Sequence, residues 1–246
     1  MFPNSHQDYI PREVLTEKGL KISFSQNGED SFITSYFWLD IIKRKKGYYL
    51  DIGCFNEGIF SNTKLLSIVG WEGIGIDANP IFKSSWEKKR PNDLFISRCI
   101  CKSSNKSNYI DFFRFKNRQN STADKNRAKD LIQKGLELND IIKVKSISLP
   151  DLARELKDKF LQGLDFLSID LEYLDYLDDI PEMLEILKPR LICMEIINKN
   201  TNIENLIESK EYKILKLASY NVLCVTGDNL IASYKGQYRL KKSVVK

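Results

Sequence analysis

Several residue types are scarce in this chain, and each shortage excludes a class of site. The only histidine is His6, and the five cysteines form no CxxC pair. A zinc site needs clustered cysteine or histidine ligands, so none is expected. Four of the cysteines lie in apolar, strand-like runs, where cysteine behaves as a small hydrophobic residue. Disulfides are therefore not expected either.

Long hydrophobic runs are also missing. No apolar run approaches the roughly 20 residues that span a bilayer, and the first residues lack the basic-then-apolar layout of a secretion signal. We therefore expect a cytoplasmic protein without a membrane span. A length of 246 residues suits one α/β domain. We expect an extension over residues 1–24 and a single domain over residues 25–246; oligomeric state is left open.

The chain carries a formal net charge of +5, but its lysines and arginines are scattered. One basic run is KRKK, Lys43 to Lys46, and another begins at Lys241. Two interpretations of the first run stay open: a solvated face, or a landing patch for the phosphates of a substrate or nucleic acid. No basic stripe interleaved with aromatic residues is present, so nucleic acid is not the favoured partner.

Short apolar runs alternate with amphipathic segments along most of the chain. The runs GYYLDIG, GIGIDA and DLFISRCIC predict three strands joined by helices, and LDFLSID and RLICMEI predict two more. This order predicts right-handed crossovers and a mostly parallel sheet. YKILKLAS and NVLCVTG predict a closing antiparallel pair, and YIDFFRF and KVKSIS are further short strands. The polar stretch from Lys116 to Lys134 is typical of a lid, a substrate loop or disorder.

Four of the predicted strands end in or near a carboxylate: Asp51, Asp77, Asp170 and Glu195. In an open α/β sheet, the carboxyl ends of parallel strands share one rim, where ligands bind. A single terminal Asp often only caps a turn. Four like charges on one rim would repel one another, so together they indicate a site that uses them.

The loop after the first of these strands, Gly53 to Gly58, has the sequence GCFNEG. It lacks the closely spaced glycines of a dinucleotide loop and the Gly-Lys-Ser/Thr of a P-loop. The ligand that suits it has a ribose and an adenine but no phosphate at the loop, and S-adenosylmethionine fits that description. Its methionine end would lie against the Asp51–Gly53 turn, and its ribose hydroxyls would bond Asp77.

An ordered set of motifs resembles the FkbM-type methyltransferases. The set runs from about Ser25 to Glu195 and comprises SQNGED, LDIGCFNEGIFSNT, GWEGIGIDANP, RP at Arg90, NST at Asn120 and LDFLSIDLE. The resemblance implies a Rossmann-like class I methyltransferase fold: a mostly parallel seven-stranded sheet, helices on both faces and an antiparallel closing strand. It also implies S-adenosylmethionine as cofactor and methyl transfer to oxygen, with a sugar or glycan hydroxyl, free or nucleotide-linked, as the usual acceptor.

Cofactor contacts carry over by position onto matching residues of this chain. By the resemblance they are Asp51 and Gly53 at the first turn, Asp77 with Ala78 at the second, Cys99 and Ile100 beside the adenine, and Gln26 and Glu29 over the methionine end. One position departs from the family pattern: Tyr173 follows Asp170-Leu171-Glu172 where the family has glycine. Tyrosine there would crowd the turn or form a wall of the acceptor pocket.

A sugar hydroxyl is a poor nucleophile, so a base should accept its proton. Because the single histidine lies near the N-terminus, the base is expected to be a carboxylate: Asp170 first, then Glu172 and Glu195. An alternative uses a divalent cation such as Mg²⁺, held by Asp170, Glu195 and Asn198. Expected acceptor contacts are Asn120, Thr122, Tyr173 and Asn198, although Tyr173 could be a surface aromatic and Asn120–Thr122 a capping turn.

Two other functions stay open at this point. An enzyme of the same fold could act on a peptide, lipid or RNA acceptor. A non-catalytic protein could bind the cofactor or a partner only, and Tyr173 in place of the family glycine motivates that alternative.

Overall fold

A computed structural model describes residues 12–16, 19–26, 28–105, 107–160, 162–171, 176–195, 209–210, 212–214 and 229–234. The strands are β1 Arg12–Thr16, β2 Gly19–Ser23, β3 Tyr48–Ile52, β4 Glu72–Asp77, β5 Leu94–Ser97, β6 Cys99–Cys101, β7 Tyr109–Phe115, β8 Leu138–Ser148, β9 Phe166–Ile169, β10 Leu191–Glu195, β11 Tyr212–Ile214 and β12 Asn229–Tyr234. The α-helices are α1 Glu29–Tyr36, α2 Trp38–Ile42, α3 Lys64–Ile68, α4 Lys83–Lys89, α5 Lys125–Gln133, α6 Leu149–Leu156 and α7 Ile180–Leu187. Short 3-10 turns cover Pro80–Phe82, Arg118–Asn120, Lys157–Lys159 and Leu177–Asp179.

The main sheet has seven strands in the order β11-β12-β10-β9-β3-β4-β5. Strands β10, β9, β3, β4 and β5 pair in parallel, whereas β12 runs antiparallel to both of its neighbours. After β3 the chain first builds one side of the sheet, and it later returns to build the other side from β9. The order therefore reverses between β3 and β9, where an open α/β sheet forms its ligand crevice.

Helices cover both faces of this sheet. On one face, α6 and α7 pack on inward side chains of the central strands, among them Leu50, Ile76 and Leu167. On the other face, α1 and α3 cover Tyr49, Phe166 and Cys193, and α4 covers the region next to β5 through Trp86. The alternation of Tyr49 and Leu50 between two cores reflects the two-residue period of a strand. The predicted Rossmann-like α/β architecture, with a seven-stranded, mostly parallel sheet and helices on both faces, is confirmed.

Two glycines in β4 make room for large side chains on one face. A Cβ atom at Gly73 would lie 2.0 Å from the Tyr49 ring, and one at Gly75 would lie 2.6 Å from the Trp86 ring. Glycine inside a strand commonly marks such a close approach. The glycines of GIGID thus let two aromatic side chains lie directly against the sheet.

The details of several predicted strands differ from the structure. DLFISRCIC is split at Arg98 into β5, in the main sheet, and β6, which joins β8 and β7 in a separate three-stranded sheet. KVKSIS is only the second half of the 11-residue strand β8. The reversed strand is β12, paired with β10 and β11, whereas NVLCVTG lies outside the described residues. Local patterns located the strands but did not assign each one to its sheet.

The polar stretch from Lys116 to Lys134 is ordered in a short turn and helix α5. Asp124 caps α5 by accepting hydrogen bonds from two backbone N–H groups. The four described cysteines are buried free thiols, and Cys224 lies outside the described residues. A helix long and apolar enough to cross a bilayer does not occur in the part of the chain that the structure describes.

Gly73→Ala should destabilise the fold. The added methyl group would overlap the buried Tyr49 ring, and overpacking of this kind costs about 1–3 kcal/mol of unfolding free energy. Gly58→Ala is the matched control, because a Cβ atom there meets nothing within 4 Å. Urea denaturation should show a lower midpoint for Gly73→Ala only. Equal midpoints for the two variants would contradict the packing described here.

Candidate active site

The centre of the candidate site is the junction of β3 and β9. The Asp170 N–H donates to the Ile52 carbonyl at 2.9 Å, which ties the carboxyl ends of the two strands together. Gly53 follows with a φ of +78°, and a Cβ atom there would lie 1.7 Å from the Asp170 carbonyl oxygen. Only glycine meets both conditions, because it tolerates positive φ and has no side chain. The predicted turn at Gly53 and the predicted base Asp170 are therefore neighbours.

Asp77 ends β4 beside this turn. Its Oδ2 accepts the Phe55 N–H at 2.9 Å, and its Oδ1 accepts the Asn79 N–H at 2.7 Å. Each oxygen keeps acceptor capacity for one more donor, as two adjacent ribose hydroxyls would require. Desolvation by the surrounding protein raises the pKa of Asp77 to about 6. Ionising Asp77 therefore costs folding free energy, and carboxylates with such raised pKa values are typical of functional sites.

The loop from Gly53 to Thr63 is shaped by backbone contacts. The N–H groups of Gly53 and Cys54 both donate to the Ile76 carbonyl, at 2.8 and 3.1 Å. Phe55 adopts a φ of +50°, and the Trp86 indole N–H donates to its carbonyl at 3.2 Å. A positive φ at a residue other than glycine is strained and tends to occur at functional sites. The loop therefore turns away from the sheet while its Phe55 N–H stays directed at Asp77.

Arg90, which is 1% exposed, holds the far half of this loop. Its Nε donates to the Glu57 carbonyl at 2.8 Å, its Nη1 to Thr63 Oγ1 at 2.9 Å and its Nη2 to Ser61 Oγ at 2.6 Å. The guanidinium also stacks on Trp86, with Cζ 4.2 Å from the ring centroid. One planar cation thus fixes three points of the loop at once.

Asp51 lies beneath the loop and is 3% exposed. Its Oδ2 accepts a hydrogen bond from Thr63 Oγ1 at 2.6 Å, so it is linked through Thr63 to Arg90. Burial raises the pKa of Asp51, and hydrogen bonding with Thr63 and the nearby Arg90 charge oppose that shift. The structure therefore places Asp51 as a support for the loop, and its contact with a cofactor stays a prediction.

The SQNGED segment, whose Asn27 lies outside the described residues, is hydrogen-bonded around Asp30. Asp30 accepts hydrogen bonds from Ser23 Oγ, Ser25 Oγ and the Phe24 N–H, which closes the segment into a compact turn before α1. The Ser61 N–H donates to the Phe24 carbonyl at 3.0 Å and joins this turn to the loop after β3. Of the two predicted contacts here, Gln26 is exposed and Glu29 is fully buried.

Two of the three predicted base residues, Asp170 and Glu195, lie at the ends of β9 and β10. Asp170 is exposed, whereas Glu195 is half-buried. Burial raises the pKa of the nearby Tyr176 phenol, and the negative charges of Asp170 and Glu195 raise it further, so the three groups are neighbours. Glu172, Tyr173 and Asn198 lie outside the described residues. Within the described residues, no three His, Cys, Asp or Glu side chains are grouped to hold a metal ion.

The expected adenine contacts divide between two packing environments. Ala78 and Cys99 pack with Phe112 and Val144 in a small apolar cluster beside Asp77. Ile100 belongs instead to the main core, and the Cys99–Cys101 backbone pairs in parallel with β8. This apolar cluster gives the Asp77 side of the crevice a surface that a nucleobase could contact.

Asn120 and Thr122 follow β7, outside the strands of the small sheet. Thr122 is buried, its backbone pairs with Phe113, and its Oγ1 accepts the Asp124 N–H at 3.1 Å. Asn120 ends a short turn and is half-buried. These contacts agree with a capping turn, and a role in acceptor binding stays a prediction.

Two residues that matter to the site, Arg90 and Asn62, received no role from the sequence. Besides Arg90, Asn62 donates from Nδ2 to Ser168 Oγ at 3.2 Å and contacts Cys193 Sγ at 3.9 Å. These contacts place the Asn62 side chain over β9 and β10, on the face of the sheet to which Asp51 also points. The Arg-Pro pair and the SNT tripeptide were visible as motif pieces, but their partners lie far away in the chain.

Neither a family model nor a curated protein sequence matches this chain, so no family model supports the FkbM-type assignment specifically. Solved structures do resemble it. An O-methyltransferase from Bacillus cereus in complex with SAH is 12% identical, with 91% of this chain and 83% of that chain covered and a TM-score of 0.41. The Methanococcus jannaschii fibrillarin pre-rRNA processing protein is 9% identical, with 95% and 87% covered and a TM-score of 0.46.

A DUF574 family protein from Streptomyces avermitilis MA-4680 is 9% identical, with 85% of this chain and 84% of that chain covered and a TM-score of 0.42. Likenesses of this level carry no information about activity. The function has to be inferred from the residues of this chain.

Arg90→Met should destabilise the protein by about 3–5 kcal/mol, because three buried acceptors lose their donor and the buried Asp51 loses a nearby cation. Arg98→Met is the control, since among the described residues the Arg98 guanidinium donates only to the adjacent Ser97 carbonyl, at 3.0 Å. Chemical denaturation would measure both. A loss below about 1 kcal/mol at Arg90 would contradict its role in holding the loop.

Proposed function

We propose that this protein is an S-adenosylmethionine-dependent methyltransferase that methylates a hydroxyl oxygen of a sugar, in a glycan or a nucleotide-linked sugar. One observation carries the proposal. Asp77 lies at the carboxyl end of β4, beside the switch point, with both oxygens held by backbone N–H groups. The adjoining loop has no phosphate-binding glycine pattern. A ribose-bearing ligand without a phosphate at the loop satisfies both features.

The residues around the crevice fit this cofactor. Asp77 would accept the ribose hydroxyls, and the Ala78–Cys99 apolar surface would contact the adenine. The Gly53 turn, where a Cβ atom would overlap the Asp170 carbonyl oxygen, would receive the methionine end of the cofactor. Gln26 and Glu29 would contact the same end. When bound, the cofactor supplies an electrophilic methyl group on a sulfonium. Asp170 and Glu195 place negative charge on the same rim, which favours a cationic ligand.

Asp170 is the proposed base. It ends the central strand β9 at the junction with Gly53, and it is exposed enough to meet an acceptor. A carboxylate there would orient the acceptor hydroxyl and take its proton as the oxygen attacks. Glu195, at the end of the neighbouring strand, and Glu172 are the second choices. In the alternative with a divalent cation, Asp170 and Glu195 would become ligands together with Asn198.

A neutral sugar suits this rim better than an RNA acceptor. Carboxylates accept hydrogen bonds from hydroxyl groups but repel phosphates, so a nucleotide-linked acceptor would present its sugar, and not its phosphates, to this rim. The resemblance to FkbM-type enzymes, on its own motifs, points to the same acceptor class. A single domain over residues 25–246, an extension over residues 1–24 and a cytoplasmic location complete the proposal.

The affinity for S-adenosylhomocysteine should fall as the pH is lowered through about 6. Ribose hydroxyls donate to the ionised Asp77, whose pKa is raised to about 6 by desolvation. Protonation therefore removes a strong acceptor, and we expect roughly a tenfold weaker affinity below that pH. Calorimetry across the pH range measures this, with Asp77→Asn as the variant that should bind weakly at every pH. Affinity that is equally strong at all pH values would contradict the role of Asp77.

Asp170→Asn should slow methyl transfer by about 100-fold or more, while leaving the affinity for S-adenosylhomocysteine, which lacks the sulfonium charge, unchanged. Asp130→Asn is the control, because Asp130 is exposed on α5 and paired with Lys134. Release of S-adenosylhomocysteine would be followed with a panel of glycans and nucleotide-linked sugars. Unchanged turnover in Asp170→Asn would exclude it as the base, and loss of wild-type activity in EDTA would favour the divalent-cation alternative.

The same assays separate the remaining functions. If the protein binds the cofactor and methylates a peptide, lipid or RNA but no sugar, the methyltransferase proposal stands and only the proposed class of acceptor is wrong. Binding without transfer to any acceptor would support the non-catalytic alternative. Absence of cofactor binding would exclude both the enzyme and the cofactor-binding protein.

A further inference from the structure

The short helix α2 presents an apolar group of side chains to solvent. Trp38 is 59% exposed, Leu39 is 61% exposed and Ile42 is 51% exposed. Ile42 follows Trp38 by four residues and Leu39 by three, so the three side chains are neighbours on the helix surface. Single exposed apolar residues are normal, whereas a contiguous group that includes a tryptophan indicates a surface that binds something. These three side chains are called the α2 face below.

The opposite side of α2 is fixed to the domain. Phe37, directly before the helix, is buried and packs edge-to-face on Trp71, with ring centroids 4.8 Å apart. Ile41 packs against the same core, and Asp40 Oδ2 accepts a hydrogen bond from Arg190 Nη2 at 2.8 Å. The helix is therefore held from its inner side, and the α2 face is held outward on a rigid base.

The basic run KRKK stays beside this face. The Arg44 N–H donates to the Ile41 carbonyl at 2.9 Å, and the Lys45 N–H donates to the Asp40 carbonyl at 3.0 Å. Arg44 also has a φ of +50°, which turns the chain at the end of the helix. The run therefore folds back on the end of α2, and its first cations lie next to the apolar side chains.

Half of the positive charge in this run is not balanced by a carboxylate. Two of the four cations form ion pairs at 3.0 and 2.8 Å, Lys45 with Asp40 and Lys46 with Glu72. Lys43 and Arg44 are exposed, and neither forms an ion pair with any described residue. Two free positive charges thus border the α2 face, and the occupant that complements them is anionic.

The size and chemistry of the surface favour a lipid bilayer. A stable protein–protein interface buries about 800 Å² on each partner, whereas three partly exposed side chains supply only a few hundred. The aliphatic Leu39 and Ile42 cannot stack on nucleobases as aromatic side chains do. A bilayer needs only a few inserted apolar side chains, and its anionic headgroups attract neighbouring lysine and arginine. Tryptophan is also enriched at the depth of the headgroups.

We propose that the α2 face, together with Lys43 and Arg44, docks this protein on a membrane surface that contains anionic lipids. Trp38, Leu39 and Ile42 enter the headgroup region, and the two cations lie among the lipid phosphates. The protein thereby lies on the bilayer without crossing it. This surface is separate from the proposed methyl-transfer site and does not depend on it.

Vesicle binding by the full chain tests the proposal. Vesicles of phosphatidylcholine with phosphatidylglycerol should sediment the protein, and vesicles of phosphatidylcholine alone should bind it much more weakly. Added sodium chloride should weaken the binding, because it screens the attraction between Lys43, Arg44 and the lipids.

Tryptophan fluorescence reports which part of the surface meets the lipid. Of the three tryptophans, Trp71 and Trp86 are already buried, so only Trp38 changes its surroundings on docking. Its emission should move to shorter wavelength when vesicles with phosphatidylglycerol are added. Trp38→Phe should remove this shift while the protein still binds the vesicles, because phenylalanine remains apolar.

Variants of α2 and of the basic run separate the two parts of the surface. Trp38→Ala combined with Ile42→Ala should weaken vesicle binding by about tenfold or more, because less apolar surface leaves water. Lys43→Ala combined with Arg44→Ala should weaken it by a similar factor, because two charges near the lipid surface are lost.

Helix α5 provides the matched controls. Ile132 is 46% exposed on this helix, and Lys125 and Lys129 are also exposed there. Ile132→Ala removes a comparable apolar side chain, and Lys125→Ala combined with Lys129→Ala removes the same net charge. Both control variants should bind vesicles as the wild type does.

Four results would overturn the proposal. These are no binding to vesicles with phosphatidylglycerol, equal binding to both kinds of vesicle, binding without a shift of the Trp38 emission, and an equal loss of binding in the α5 controls. If the vesicles do not bind and sedimentation shows self-association that Trp38→Ala disrupts, a second copy of the chain covers the α2 face instead. Circular dichroism checks the fold of each variant, and the wild-type vesicle titration decides the question even where a variant fails to fold.

Discussion

The buried guanidinium of Arg90 is the interaction on which the candidate site depends. It reaches Glu57, Ser61 and Thr63 in one loop while its plane rests on Trp86 in α4. A lone buried cation would be costly, but here its N–H groups meet oxygen acceptors and Asp93 lies 3.7 Å away. The loop replaces the glycine-rich turn of dinucleotide folds with a shape set by this cation rather than by backbone freedom.

The second constraint is the junction at the switch point. Gly53 and Asp170 are far apart in the chain, yet a single methyl group cannot be placed between them. The contact that joins β3 to β9 therefore also positions the proposed base beside the turn that would receive the cofactor. Stability and function are joined at this point, because any shift of β9 against β3 would move both groups.

Charge is distributed unequally between the two edges of the sheet. The carboxyl edge carries Asp77, Asp170 and Glu195, and the ionised Asp77 costs folding free energy that grows as the pH rises from 3.8, its ordinary pKa, to about 6 and is constant above that. The amino ends carry Lys45, Lys46 and Arg190, whose charges are paired with Asp40, Glu72 and Asp165.

The sequence by itself determined the parallel strands, their terminal carboxylates and the crevice, because two-residue alternation and apolar runs are local signals. It also indicated Gly53, Asp77 and Asp170 as one site. Only the tertiary structure decided that DLFISRCIC divides between two sheets, that Asp51 supports the loop from below, and that Arg90 and Asn62 hold the site together. The hydrogen-bond partners of Arg90 and Asn62 are 27 to 131 residues away. No local pattern encodes such pairs, since the acceptor for a buried donor is chosen by packing after the strands have assembled.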